Sequence, residues 1–121
     1  MAKGIYNPTY FINNPEEADV EATLYCVVLV NKQTHKREAL KIGITKGKGW
    51  QAAVKRSSGF TFHDIRIQKT VTGRLEDIYY LEDFLHEKWA HLQKEMSEKF
   101  GGWTECFEID DEIIKSIPDT V

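Results

Sequence analysis

Two apolar, β-branched runs set close together constrain this chain more than any other feature. Residues 24–30 read Leu-Tyr-Cys-Val-Val-Leu-Val and residues 39–45 read Ala-Leu-Lys-Ile-Gly-Ile-Thr, with the polar segment Asn31-Lys32-Gln33-Thr34-His35-Lys36-Arg37 between them. Short runs of this composition flanking a polar loop read as the two strands of a β-hairpin. The loop is longer than a two-residue turn, so turn type alone does not fix the register. Gly43 weakens the second strand unless backbone or a ligand must come close there. Tyr25 and Lys41 place a hydroxyl and an ammonium among these apolar neighbours.

The rest of the chain supplies helices and one more strand. Residues 1–22 form an acidic N-terminal arm, broken by Asn7-Pro8 and Asn13-Asn14-Pro15, whose Tyr6, Tyr10 and Phe11 can pack on the domain or on a second subunit. After the hairpin, Lys46-Gly47-Lys48-Gly49 reads as a flexible basic loop without the Walker spacing for nucleotide phosphates. Residues 50–57 suit a short helix with Trp50, Ala53 and Val54 on one face, closed by Ser57-Ser58-Gly59. Residues 62–71 alternate as a strand, with Ile65, Ile67, Lys69 and Val71 on one side, and Thr72-Gly73 ends it. Ile78, Leu81, Leu85, Trp89, Leu92 and Met96 then recur at steps of three and four, which predicts one long helix over 74–99, stopped by Phe100-Gly101-Gly102. Residues 103–109 suit a short strand or extended segment, and Asp110 or Asp111 caps a last helix with Ile113, Ile114 and Ile117 inward. The expected fold class is α+β: a small, mostly antiparallel three-stranded sheet flanked by helices in the order β-β-α-β-α, with residues 23–121 as a single domain.

Charge is segregated along the chain. The net charge is −3, yet residues 31–74 hold eleven Lys and Arg against Glu38 and Asp64 alone, a local balance of +9. A block this basic is the footprint of a phosphate-binding face, to which Lys46, Lys48 and Lys55 are expected to contribute nucleic-acid contacts. No apolar run approaches the roughly 18 residues of a membrane span, and the N-terminus lacks a basic-then-apolar leader pattern, so a cytoplasmic protein without membrane partners is expected. Cys26 and Cys106 lie far apart, and neither has a second Cys or a His at metal-ligand spacing. Zinc is disfavoured, and Cys26 reads as a small core residue.

Five pieces stand in order: Tyr25 in strand one, Lys41-Ile42-Gly43 in strand two, Arg56 on the first helix, Glu82 with His86 one turn later on the long helix, and Glu105-Cys106-Phe107 after a Gly-Gly pair. Across about residues 22–109 this set resembles the GIY-YIG nuclease superfamily, in a compact phage and microbial branch with Lys-Ile-Gly as second motif. The chain departs from the pattern at Thr23-Leu24, which stand for Gly-Ile, at Lys41, which stands for Tyr, and in a thirteen-residue gap from Gly43 to Arg56.

The resemblance implies a metal-dependent endonuclease that hydrolyses phosphodiester bonds in DNA, with RNA as the alternative, leaving 5′-phosphate and 3′-hydroxyl ends. Glu82 would hold one Mg²⁺ or Mn²⁺. Arg56 would clamp the phosphate, Tyr25 would relay the proton of the attacking water with Lys41 beside it, and His86 would hydrogen-bond the phosphate or Glu82. Tyr25, Lys41, Arg56 and Glu82 should therefore converge on one concave face. The competing reading keeps the fold without catalysis, as a nucleic-acid-binding module or a protein-interaction or inhibitor module. Site choice would come from substrate structure, homodimerisation or a targeting protein partner.

Overall fold

The computed structural model describes residues 6–57, 62–96 and 105–121. The hairpin is formed by β1 (Glu21–Asn31) and β2 (Arg37–Lys46). β3 (His63–Arg74) pairs antiparallel with the other edge of β1, and β4 (Cys106–Phe107) pairs antiparallel with β2. The sheet thus has four strands in the order β3-β1-β2-β4, one more than the sequence predicts. The two residues of β4 are too few to carry a periodicity that would mark them as part of this sheet. β1 runs down the middle, so every residue from Ala22 to Val30 is buried, as its unbroken apolar run requires.

Paired residues of antiparallel strands share a face. Tyr25, Val27 and Leu29 of β1 lie opposite Gly43, Lys41 and Ala39 of β2. This face is covered by α2 (Gly49–Ser57), whose Ala53 packs with Tyr25, Val27 and Leu29. The opposite face carries Leu24, Cys26, Val28, Leu40 and Ile42 and packs against Leu75, Ile78 and Leu85 of α3 (Leu75–Lys88). α2 buries Ala52 and Ala53 and leaves Trp50 and Val54 exposed, so the expected Trp50–Ala53–Val54 face is not the packing face. Two small side chains let the helix lie close to the sheet.

β3 corrects a second expectation. Its register against β1 passes from Cys26↔Lys69 to Val27↔Ile67, leaving Gln68 as an extra residue. Such a bulge reverses the alternation beyond it. Ile65 therefore faces the α2 side while Val71 packs in the α3 core, although simple alternation places them together. The strand also continues through Thr72-Gly73 to Arg74.

The long helix is shorter than its apolar spacing predicts. α3 ends at Lys88 and gives way to a single 3₁₀ turn, Ala90–Leu92. Tertiary bonds take over the backbone there: Gln93 bridges to Phe107, Lys94 N–H donates to the Cys106 carbonyl at 2.9 Å, and Glu108 N–H donates to that of Leu92 at 2.8 Å. Leu92 packs on the α3 side, yet Met96 packs on the α2 side, so the chain passes around the sheet edge between them. The expected stop at Phe100-Gly101-Gly102, the Ser58-Gly59 closure of α2 and the start of the final strand at Trp103 lie outside the described residues.

The arm is structured and joins the core. Asn7 accepts the Tyr10 N–H at 2.7 Å and Pro8 opens α1 (Pro8–Asn13), so Asn7-Pro8 begins a helix rather than breaking the chain. Phe11 of α1 is buried and meets Tyr79 of α3 edge-on, 5.7 Å between ring centroids. A 3₁₀ turn, Pro15–Asp19, leads into β1. At the other end Asp110 caps α4 (Asp111–Lys115) through the Glu112 N–H, and Ile113 and Ile117 are buried as expected. Cys26 and Cys106 are buried thiols that form no disulfide, and burial pushes both up to about 12. No described helix is long and apolar enough to cross a membrane.

Candidate active site

Gly43 explains the break in the β propensity of β2. It lies opposite Tyr25. A Cβ at Gly43 would stand 2.6 Å from the Tyr25 hydroxyl oxygen and 2.8 Å from Lys41 Nζ. The missing side chain is therefore the space in which the tyrosine hydroxyl and the lysine ammonium meet. Lys41 Nζ donates to the Tyr25 hydroxyl at 2.8 Å and forms an ion pair with Glu105 Oε1 at 3.2 Å. The Lys41 side chain is fully buried, whereas that of Glu105 keeps 17% of its exposure. Burial alone would push the ammonium down, but the Tyr25 oxygen and the Glu105 carboxylate outweigh it and leave Lys41 above the ordinary lysine value.

Glu82 and His86 come from α3, on the other side of the sheet. They lie four residues apart and so project from one helix face. His86 Nε2 is 3.0 Å from the carbonyl oxygen of Ile42, the residue between Lys41 and Gly43. A carbonyl only accepts, so Nε2 carries the proton. Glu82 Oε2 lies 4.0 Å from that nitrogen, and both side chains are buried. β4 pairs with β2 only at Leu40 and Lys41, so the edge just beyond is where groups from both faces can meet. One donor atom each from Glu82, His86 and Glu105 lies within 4.8 Å of the others.

Four predicted residues are thus gathered, though not on one concave face. Tyr25 and Lys41 arrive from the α2 side and Glu82 and His86 from the α3 side, with Glu105 joining the two sets at the edge of β2. Arg56 is exposed in the last turn of α2, on the Tyr25 side, and is outside this cluster. Three and four residues after the buried Ala53 and Ala52, it continues the helix's inner stripe to its end. Glu105 is legible in the sequence only as part of a motif. The signal for its role is Lys41 itself: a lysine within a buried strand requires an anionic partner.

The basic block is partly neutralised in three dimensions. Lys46 pairs with Glu17 at 2.9 Å, Arg74 with Asp19 at 2.8 Å and Lys69 with Asp119 at 2.8 Å. These acids belong to the arm and the C-terminal end, so sequence segregation overstates the positive surface. Lys48, Lys55 and Arg56 remain exposed around α2. The loop before α2 is built rather than slack: Gly47 and Gly49 have φ of 115° and 63°, a region that favours glycine. Gly47 N–H donates to the Glu21 carbonyl and Gly49 N–H to the Thr72 hydroxyl, so neither amide is left for a phosphate.

The two carboxylates suit a divalent cation with oxygen preference, whereas His86, its Nε2 proton given to the Ile42 carbonyl, could ligate only through Nδ1. Two oxygens on one Mg²⁺ stand at most about 4.2 Å apart. The widest separation in the Glu82–His86–Glu105 group would have to close by about half an ångström, and Glu105 would have to share its charge between the ion and Lys41. The residues fit such an ion with that adjustment. Comparison with protein-family models, with characterised proteins and with solved structures gives no match to this chain.

Proposed function

We propose that the chain is a metal-dependent endonuclease acting on phosphodiester bonds in DNA and leaving 5′-phosphate and 3′-hydroxyl ends. The observation that carries this reading is the convergence at Gly43: a tyrosine hydroxyl and a lysine ammonium in contact, with Glu82, His86 and Glu105 gathered beside them. These are the groups that phosphodiester hydrolysis needs, namely a proton acceptor for water, a cation for the phosphoryl charge and oxygen ligands for a metal.

In this mechanism Tyr25 accepts or relays the proton of the attacking water. Lys41 holds the tyrosine oxygen and, once a phosphate displaces Glu105 from it, takes up the phosphoryl negative charge. Glu105 is the most solvent-accessible member of the group, so the substrate reaches Lys41 from its side. His86, its ring fixed by the Ile42 carbonyl, positions Glu82. Glu82, with Glu105, would hold Mg²⁺ or Mn²⁺, which supplies Lewis-acid stabilisation of the phosphoryl oxygens. Arg56 clamps the phosphate from the end of α2.

One observation favours the second reading, a nucleic-acid-binding or protein-interaction module without catalysis. Tyr25, Lys41, Glu82 and His86 are all buried, as a purely structural polar core would be. Incubation of supercoiled plasmid with Mg²⁺ or Mn²⁺ separates the two: nicking that disappears in Glu82→Gln supports hydrolysis, and intact plasmid bound at low salt supports the module.

A further inference from the structure

α2 carries an exposed apolar stripe on its outer surface. Ala52 and Ala53 meet the sheet, whereas Trp50 is 57% exposed and Val54 45%. At 3.6 residues per turn these two lie side by side on the side of the helix turned away from the sheet. Cations flank them: Lys48 precedes the helix and Lys55 lies in its last turn, both exposed. Ile67 of β3, also exposed, opens on the same side of the sheet. A second exposed aromatic pair, Tyr80 and Phe84 on α3, lies among Asp77, Asp83 and Glu87 with the cation Lys88 over the Phe84 ring, and so favours a polyanion less than α2 does.

We propose that the outer face of α2 binds an unpaired nucleic-acid strand, with the Trp50 indole stacked on a base and Lys48 and Lys55 against the flanking phosphates. This rests on the nucleic-acid reading above and names the substrate class: a strand with unpaired bases rather than continuous duplex. In a duplex the base faces are already stacked on one another, so an exposed indole gains nothing from them and only the cations act. On a single strand the indole and the cations act together, which is the usual combination for sequence-tolerant strand binding.

The test is a titration of the whole protein, followed both by tryptophan emission and by the anisotropy of a fluorescent label on the nucleic acid, with an oligothymidylate of about 16 nucleotides and with a duplex of equal length. The single strand is expected to bind more tightly and to quench the emission. Trp50→Ala is expected to weaken single-strand binding about tenfold or more, the loss of one stacked base, and to leave duplex binding within about twofold. Trp50→Phe, which can still stack, should retain most of the affinity while losing most of the quench. Because the side chain is exposed, neither substitution disturbs the core. Equal affinity of Trp50→Ala and the unmutated chain for the single strand, or a preference for duplex, overturns the proposal while leaving nucleic-acid binding in place. Failure of both nucleic acids to bind at low salt overturns the nucleic-acid reading together with it.

Discussion

The Lys41 ammonium and the Tyr25 hydroxyl meet at 2.8 Å in the space that a side chain at Gly43 would occupy. Adding a methyl group there forces a rigid, buried aromatic ring and a buried cation to move. Gly43→Ala is expected to destabilise the fold by about 1–3 kcal/mol, the usual range for overpacking a core, and to abolish any cleavage even where the protein stays folded. Urea unfolding and plasmid nicking measure the two effects. Unchanged stability and activity would show that the Tyr25–Lys41 contact has no part in either.

Lys41 also fixes a pH dependence. Its folded-state pKa is raised above the ordinary value of 10.5 by the Tyr25 oxygen and Glu105, which together overcome burial. A raised lysine stabilises the fold fully below its unfolded value, and that contribution is lost as pH rises through the folded value. Lys41→Met is expected to lower stability by about 2–4 kcal/mol, near the lower end for breaking a buried ion pair because Glu105 can rehydrate. The gap between variant and unmutated chain should stay constant from neutral pH up to the ordinary lysine value and narrow only above it. A gap that closes while the solution is still near neutral would assign the stabilisation to another group.

Salt dependence should follow the cations around α2 rather than the whole basic block. Lys46 is paired with Glu17, so Lys46→Glu is expected to change the salt slope of DNA binding little. Combined reversal of Lys48, Lys55 and Arg56 should flatten it, by about 0.9 for each duplex phosphate that no longer meets a cation. Binding isotherms across a range of salt concentrations read this directly. Equal flattening by Lys46→Glu would mean that the Glu17 pair opens when DNA binds.

The hairpin, α2 and α4 are legible in the sequence because their signals are local: β-branched runs, a short helix after a glycine pair, an Asp cap before inward isoleucines. The Gln68 bulge is not, because a single extra residue in β3 becomes visible only against its partner β1. The end of α3 at Lys88 is hidden for a similar reason. Trp89, Leu92 and Met96 keep the helical spacing, yet the backbone there is claimed by Phe107 and Cys106 from a distant segment. Asn7-Pro8 reads as a break because a Pro after Asn also marks a turn, and only the Phe11–Tyr79 contact shows that a helix docks there. Of the site, residue types and order are readable. That α3 sits on the face opposite Tyr25, and that Glu105 closes the gap at the edge, follows from sheet topology, which one-dimensional spacing does not carry.

The proposed hydrolysis of phosphodiester bonds at the Gly43 cluster depends on Glu82. Conversion of supercoiled plasmid to nicked circles, by matched amounts of the unmutated chain and the Glu82→Gln variant, tests it most directly. Circular dichroism and DNA-binding isotherms should show the variant folded and binding as before. The unmutated chain is expected to nick DNA in Mg²⁺ or Mn²⁺, and Glu82→Gln to be slower by roughly a thousandfold or more, the loss of several kcal/mol of transition-state stabilisation. Undiminished nicking by Glu82→Gln, or intact plasmid after incubation of the unmutated chain with either metal, would contradict the claim.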